Sequence, residues 1–116
     1  MFEQGDIIIL PIPFTDLTST KKRPAIVISR NEYNNITDDI IVMAITSNIS
    51  MKEYCINLNS KDLISGFLLA DSQIRADKIY TISKTIVIKK LGSVKKYIID
   101  SIKICITNIF DVSRQQ

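Results

Sequence analysis

The chain opens on a run of branched apolar residues, Ile7-Ile8-Ile9-Leu10, set between Asp6 and the prolines 11 and 13. Branched side chains favour extended backbone, whereas proline cannot donate to a ladder. Residues 6–12 are therefore expected to form a strand that lies at a sheet edge or ends near Leu10. Residues 15–22 hold Thr, Asp, Ser and Lys and read as a loop. Pro24 then opens a second strand over residues 25–29, at a strand's first position, where a missing N–H costs little. Residues 31–39 are rich in Asn and Asp, which favour turns through local side-chain hydrogen bonds. Residues 40–45 are apolar throughout and predict a strand covered on both faces.

Beyond the polar residues 46–50 the pattern alternates. Tyr54, Ile56 and Leu58 fall on one face and Glu53, Cys55 and Asn57 on the other, which predicts a strand with one buried face. Residues 59–66 read as a turn or a short helical piece, residues 67–74 as strand, and residues 79–82 and 85–89 as short β-branched segments. Gly92 and Ser93 break this pattern, and Ser93 is a good helix N-cap. From there Val94, Ile98, Ile102, Cys105, Ile106 and Ile109 recur at the three-and-four spacing of an amphipathic helix. Lys95, Lys96, Asp100, Lys103 and Asn108 fall largely on its other face. The last residues, from 112, should fray. The expected architecture is mainly β: a small barrel-like or strongly bent antiparallel sheet with a C-terminal helix packed on it.

A chain of 116 residues with 46% hydrophobic content can bury a core of its own, so residues 1–116 are expected to be a single domain. No apolar run approaches the ~18 residues of a membrane span, and no signal-peptide pattern opens the chain. The expected location is the cytoplasm, with no membrane partner. Cys55 and Cys105 are expected to be buried free thiols. With no histidine and no paired-cysteine spacing, a zinc site has almost no ligands, and histidine-dependent triads are excluded. No metal and no cofactor are expected. The net charge of +3 permits nucleic acid without requiring it.

Placement of charge says more than its sum. Lys21, Lys22 and Arg23 form one run, and Arg23 is held beside Pro24. A guanidinium matches phosphate oxygens through two donors at once, but a surface ion pair with Asp16 would explain it equally well. Lys84, Lys89, Lys90, Lys95 and Lys96 form a second, looser run that reads as a solvated surface. Thr46 follows the apolar run 40–45, where a hydroxyl either closes a turn or binds a phosphate or a ribose hydroxyl. Gln73 and Arg75 alternate around Ile74 and share a face, which either meets solvent or contacts a base edge or phosphate.

These residues carry a resemblance. The chain resembles the MazF/PemK family of bacterial toxin ribonucleases in Gly5-Asp6-Ile7-Ile8, Pro13-Phe14-Thr15-Asp16, Arg23-Pro24-Ala25-Ile26-Val27-Ile28-Ser29 and Ala44-Ile45-Thr46-Ser47. Residues 69–77 and 91–94 match it less closely. The resemblance implies a dimeric SH3-like barrel of the CcdB/MazF type that cleaves single-stranded RNA without metal, leaving a 2′,3′-cyclic phosphate. It implies Arg23 and Thr46 as catalytic residues and, with the reading above, Lys21, Lys22, Gln73 and Arg75 as RNA contacts. It also implies a cognate antitoxin, with operator DNA bound jointly with that antitoxin. The chain departs from the family in one respect: residues 17–22 contain no acid before the Arg-Pro pair, so Asp16 is the candidate acid–base group. Two other readings stand beside this one. One is a CcdB-like toxin that binds gyrase, although the Trp-containing tail of that family is absent here. The other is a barrel that binds nucleic acid without cutting it.

Overall fold

The computed structural model describes residues 1–13, 20–50 and 52–112. Its elements in chain order are β1 (Asp6–Pro13), β2 (Thr20–Val27), α1 (Asn31–Ile36), β3 (Asp39–Thr46), β4 (Cys55–Leu58), β5 (Leu63–Gly66), β6 (Ser72–Ser83), β7 (Lys89–Val94) and α2 (Lys96–Ile109). Single 3-10 turns over Ser60–Asp62 and Lys84–Ile86 precede β5 and β7. The strands make one curled sheet in the order β4-β6-β3-β2-β1-β7-β5, every pairing antiparallel. The mainly β fold with a C-terminal helix is as the sequence predicts.

β1 is not an edge strand: it sits between β2 and β7. Its prolines are tolerated because of the direction in which they face. The Ile9 carbonyl accepts from the Ile88 N–H at 2.8 Å, so the backbone of Ile9 points toward β7. Pro11 and Pro13, at alternate positions along the strand, point the same way. The β1–β7 ladder ends at the Ile9–Lys89 pair, so the missing N–H groups face a side where pairing has stopped. Pro24 lies opposite Ile9 and faces β3, whose ladder with β2 ends at the Ala25–Ala44 pair. Beyond those two ends, β1 and β2 continue as a two-stranded arm to the Pro13–Thr20 pair.

Curling buries both faces of the central strands. Ile7, Ile26, Met43, Ile45, Ile74 and Ala76 pack under α2, which contributes Ile98 and Ile102. Ile8, Leu10, Ala25, Val27, Ile40 and Val42 form a second cluster on the other face, backed by Tyr80 and Ile82. β1, β2 and β3 each feed both clusters, and β3 does so along an unbroken apolar run. Each fully buried Ile contributes roughly 1.5–3 kcal/mol. Where β5 meets β7 the backbones touch: a Cβ on Gly92 would stand 2.3 Å from the Ser65 carbonyl oxygen, and one on Gly66 would stand 2.1 Å from the Leu91 oxygen.

Several local expectations are corrected. Residues 31–36 are helical; Lys84 Nζ reaches across to the carbonyls of Asn34 and Thr37 (2.7 Å to the latter) and satisfies the helix's C-terminal end. Ser93 does not cap α2. It lies in β7, because its register opposite Asp6 and the Val94 N–H bond to Gly5 keep the backbone extended, and its hydroxyl meets Ser65 Oγ at 3.0 Å. The helix begins at Lys96, and Val94 is a buried strand residue. Tyr54 leaves the β4 pattern with a φ of 58° and is exposed. Residues 67–71 are not strand, and β6 begins only at Ser72. Cys55 and Cys105 are not joined in a disulfide, and both are only half-buried.

Candidate functional site

The first half of β2, where the β1–β2 arm begins, places Lys21, Lys22, Arg23 and Pro24 around one hollow of about 540 Å³. Ile45 and Ser47, on either side of Thr46, line it from the end of β3, and Lys89 lines it from the start of β7. Lys21, Lys22 and Lys89 are exposed, whereas Arg23 is half-buried. No acidic residue lines this hollow among the described residues. A concave surface with one sign of charge and apolar walls focuses its field and attracts anions. Phe67 and Leu69, 67% and 96% exposed, stand at its rim and give it an apolar border.

Thr46 is the last residue of β3, half-buried, and its hydroxyl oxygen accepts the Asn48 N–H at 3.1 Å. The turn-closing role is therefore real, and it also fixes where the hydroxyl sits. Thr46 pairs across the sheet with Gln73 of β6, which pairs in turn with Asn57 of β4. Gln73 is 3% exposed, and its Nε2 donates to Asn57 Oδ1 at 3.1 Å. Gln73 and Asn57, with Asn59, Asp71 and Lys52, line a second hollow of about 510 Å³ that shares Ser72 with the first.

The other predicted residues fall in different places. Arg75 lines neither hollow; its guanidinium forks onto Asp77, with Nε–Oδ1 at 2.9 Å and Nη2–Oδ2 at 2.8 Å. That pair holds the Asp77 carboxyl below its ordinary value and pushes the Arg75 guanidinium higher still. Asp16 lies outside the described residues. The second lysine run divides. Lys84 serves α1, Lys90 pairs with the buried Asp6 at 3.0 Å, and Lys96 pairs with Asp100 at 3.1 Å. Lys89 alone of these joins the cationic hollow. Its role was hidden in the sequence, because only the β1–β7 register brings it beside Ile9. Ser47, Ser72 and Asn57 were also missed as site residues. Ser47 and Ser72 stand at strand ends, where turn formation is an equal explanation, and Asn57 reads as an ordinary outward-facing residue of β4.

Among the described residues, no helix is long and apolar enough to cross a membrane. Comparison with known proteins agrees with this architecture. A family model described as the PemK-like, MazF-like toxin of type II toxin–antitoxin systems matches residues 3–110. None of the curated proteins compared with the chain matches it. Among solved structures, a mycobacterial endoribonuclease in complex with its cognate antitoxin superposes with a TM-score of 0.77 at 16% identity, over 99% of this chain and 100% of that one. A MazF toxin of Mycobacterium tuberculosis gives 0.71 at 17% identity, over 92% and 99%. MazF of Deinococcus radiodurans, in a MazE–MazF complex, gives 0.73 at 16% identity, over 97% of each chain. At such identity these likenesses establish the fold.

Proposed function

Because the chain belongs to the PemK-like, MazF-like toxin family of type II toxin–antitoxin systems, we propose that it is a toxin endoribonuclease that cuts single-stranded RNA at preferred sequences. The observation that carries this reading is the hollow ringed by Lys21, Lys22, Arg23 and Lys89, lined by no acid among the described residues, at the open ends of two ladders. RNA supplies its own nucleophile, so a site without histidine or a reactive thiol suffices. The ribose 2′-oxygen attacks the adjacent phosphorus, the bond to the 5′-oxygen breaks, and a 2′,3′-cyclic phosphate and a 5′-hydroxyl result. The attacking hydroxyl gives up a proton and the leaving oxygen gains one. Asp16, the carboxylate closest in sequence before Arg23, is assigned to that proton transfer.

Arg23 meets the charge that builds on the phosphate oxygens, where fixed donors act most strongly. Thr46, held by its bond to Asn48, orients the phosphate or the 2′-hydroxyl. Lys21 and Lys22 hold flanking phosphates as exposed point charges. No step needs a metal. An acidic antitoxin segment with apolar side chains would fit the same cationic hollow and its Phe67–Leu69 border, and would block RNA by covering Arg23. The working unit is taken to be a homodimer, the commonest closed assembly for a small domain, and operator DNA would be bound jointly with the antitoxin.

The decisive experiment is incubation of the purified protein with a long single-stranded RNA in EDTA, followed by chemical analysis of the new ends. Cyclic phosphate and 5′-hydroxyl ends in EDTA are expected. Cleavage that EDTA abolishes and Mg²⁺ restores would overturn the mechanism. RNA affinity without cleavage would favour a binding-only barrel.

A further inference from the structure

The two hollows share Ser72 but differ in chemistry. The first holds Lys21, Lys22, Arg23 and Lys89 and no acid among the described residues. The second holds side-chain amides, the Asp71 carboxylate and, among the described residues, a single cation at Lys52. A phosphate is drawn to the first and repelled by the carboxylate in the second. A neutral group rich in donors and acceptors suits the second, and a nucleobase is such a group. Its volume, about 510 Å³, lies within the ~300–1,000 Å³ of small-ligand sites. Single-stranded RNA splays its unstacked bases into such pockets and has their edges read by hydrogen bonds.

We propose that this second hollow is a base-reading subsite, taking one base of the RNA beside the cut, with Asn57 as the selecting side chain. The inference rests on the ribonuclease reading above and adds to it the origin of sequence preference. Register supplies the spacing. Thr46, Gln73 and Asn57 lie in one row across β3, β6 and β4. Adjacent strands lie ~4.8 Å apart, so Asn57 is roughly 10 Å from Thr46 along that row. A phosphate held between Arg23 and Thr46 thus leaves a neighbouring base within reach of Asn57.

Rigidity supplies the selectivity. Gln73 is buried and donates Nε2 to Asn57 Oδ1 at 3.1 Å. That bond fixes which way the exposed Asn57 amide turns, so its Nδ2 points away from Gln73 as a donor. Asp71 provides an acceptor in the same hollow. A donor aimed by its buried partner, with an acceptor in the same hollow, reads a base edge of mixed polarity.

The test uses Asn57→Ala and Asn57→Asp with the wild type. Asn57→Asp keeps an acceptor for Gln73 Nε2 but replaces the outward donor by an acceptor. Each protein cleaves single-stranded RNA of randomised sequence, and the new ends are sequenced. The expected result for Asn57→Ala is a loss of roughly 5- to 150-fold in base preference at a single position beside the cut, other positions keeping theirs. Asn57→Asp should change the base preferred at that same position. Unaltered preference in both variants, or slower cleavage with the preference intact, overturns the proposal.

A binding arm separates this from failure of the ribonuclease reading. A single abasic site is scanned through an RNA oligonucleotide, and affinity is measured for wild type and Asn57→Ala. If the wild type cuts nothing, the ribonuclease reading falls, yet one abasic position that weakens binding by wild type and not by Asn57→Ala still supports the subsite. Equal weakening of both proteins at every position, or no RNA binding at all, overturns it.

Discussion

Replacing Arg23 and Lys21 one at a time should produce two different defects, and the difference follows from where the side chains sit. Arg23 is half-buried beside Pro24 at the mouth of the β1–β2 arm, while Lys21 is exposed further out. A partly desolvated guanidinium held next to a rigid backbone acts on charge that appears only as the phosphate reacts. Loss of one such donor costs about 10²–10³-fold in rate, or ~3–4 kcal/mol. An exposed lysine acts on the ground-state phosphate through counterion release. Each contact to a single strand carries a salt slope of ~0.7, which at 0.1 M salt amounts to about fivefold in affinity, near 1 kcal/mol. Arg23→Ala should therefore lower the single-turnover rate at saturating protein by two to three decades with a minor change in RNA affinity. Lys21→Ala should weaken binding about fivefold and flatten its salt dependence by ~0.7, with the rate at saturation unchanged. Arg23→Lys keeps the charge, loses the fork, and should also be impaired. The assay is rapid-quench cleavage of one RNA at several protein concentrations, with binding measured separately. If Arg23→Ala cleaves at the wild-type rate while Lys21→Ala does not, the catalytic cation has been placed on the wrong residue.

Other predictions concern the frame. Gly92→Ala puts a Cβ 2.3 Å from a backbone oxygen, so β5 and β7 must separate; an overpacking cost of ~1–3 kcal/mol should lower Tm by roughly 4–12 °C, and an unchanged melting curve would refute the close approach. Asp77→Asn tests the Arg75 pair. In the fold the Asp77 carboxyl lies below its ordinary value, while in the unfolded chain it returns to roughly 3.9. As pH falls the unfolded chain takes up the proton first, so the stabilisation is complete above that range and disappears as pH drops through it. Both partners are partly solvated, at 26% and 38% exposure, so the effect should stay at or below ~1 kcal/mol. Urea midpoints of wild type and Asp77→Asn should differ at pH 7 and converge near pH 3. Sedimentation at micromolar concentration should show a homodimer; a monomer would count against the proposed assembly.

Much of the frame was legible because its signals are local. The apolar run 40–45 reads as a strand covered on both faces, and β3 indeed feeds both clusters. The three-and-four spacing found α2, with Ile98 and Ile102 inward. Its start was misread because Ser93 offers a cap by type, while pairing with Asp6 holds it in β7. Pro11 and Pro13 suggested an edge, since sequence gives the missing N–H but not the direction in which it would have pointed. The site divides in the same way. Lys21, Lys22 and Arg23 are adjacent in sequence and remain together in space. Lys89 and Asn57 reach the site only through register, and a lysine among lysines carries no mark of which one will be needed.

The prolines connect fold to function in one step. Past Ile9 and Ala25 the β1–β2 arm has lost β7 on one side and β3 on the other. A two-stranded ribbon with both edges open invites pairing with any passing strand. Pro11 and Pro13 blunt the edge that faced β7, and Pro24 begins the edge that faced β3. The sheet can thus open in its own middle without exposing a continuous row of donors. The gap so made is the cationic hollow, and the arm beyond it carries Lys21, Lys22 and Arg23. Restoring donors should therefore change assembly before it changes chemistry. Pro11→Val, which returns an N–H to the open edge and supplies a β-forming side chain, should leave single-turnover cleavage near the wild-type rate and increase concentration-dependent aggregation, followed by light scattering. Unchanged scattering together with a large loss of cleavage would show that Pro11 shapes the hollow itself instead of guarding its edge.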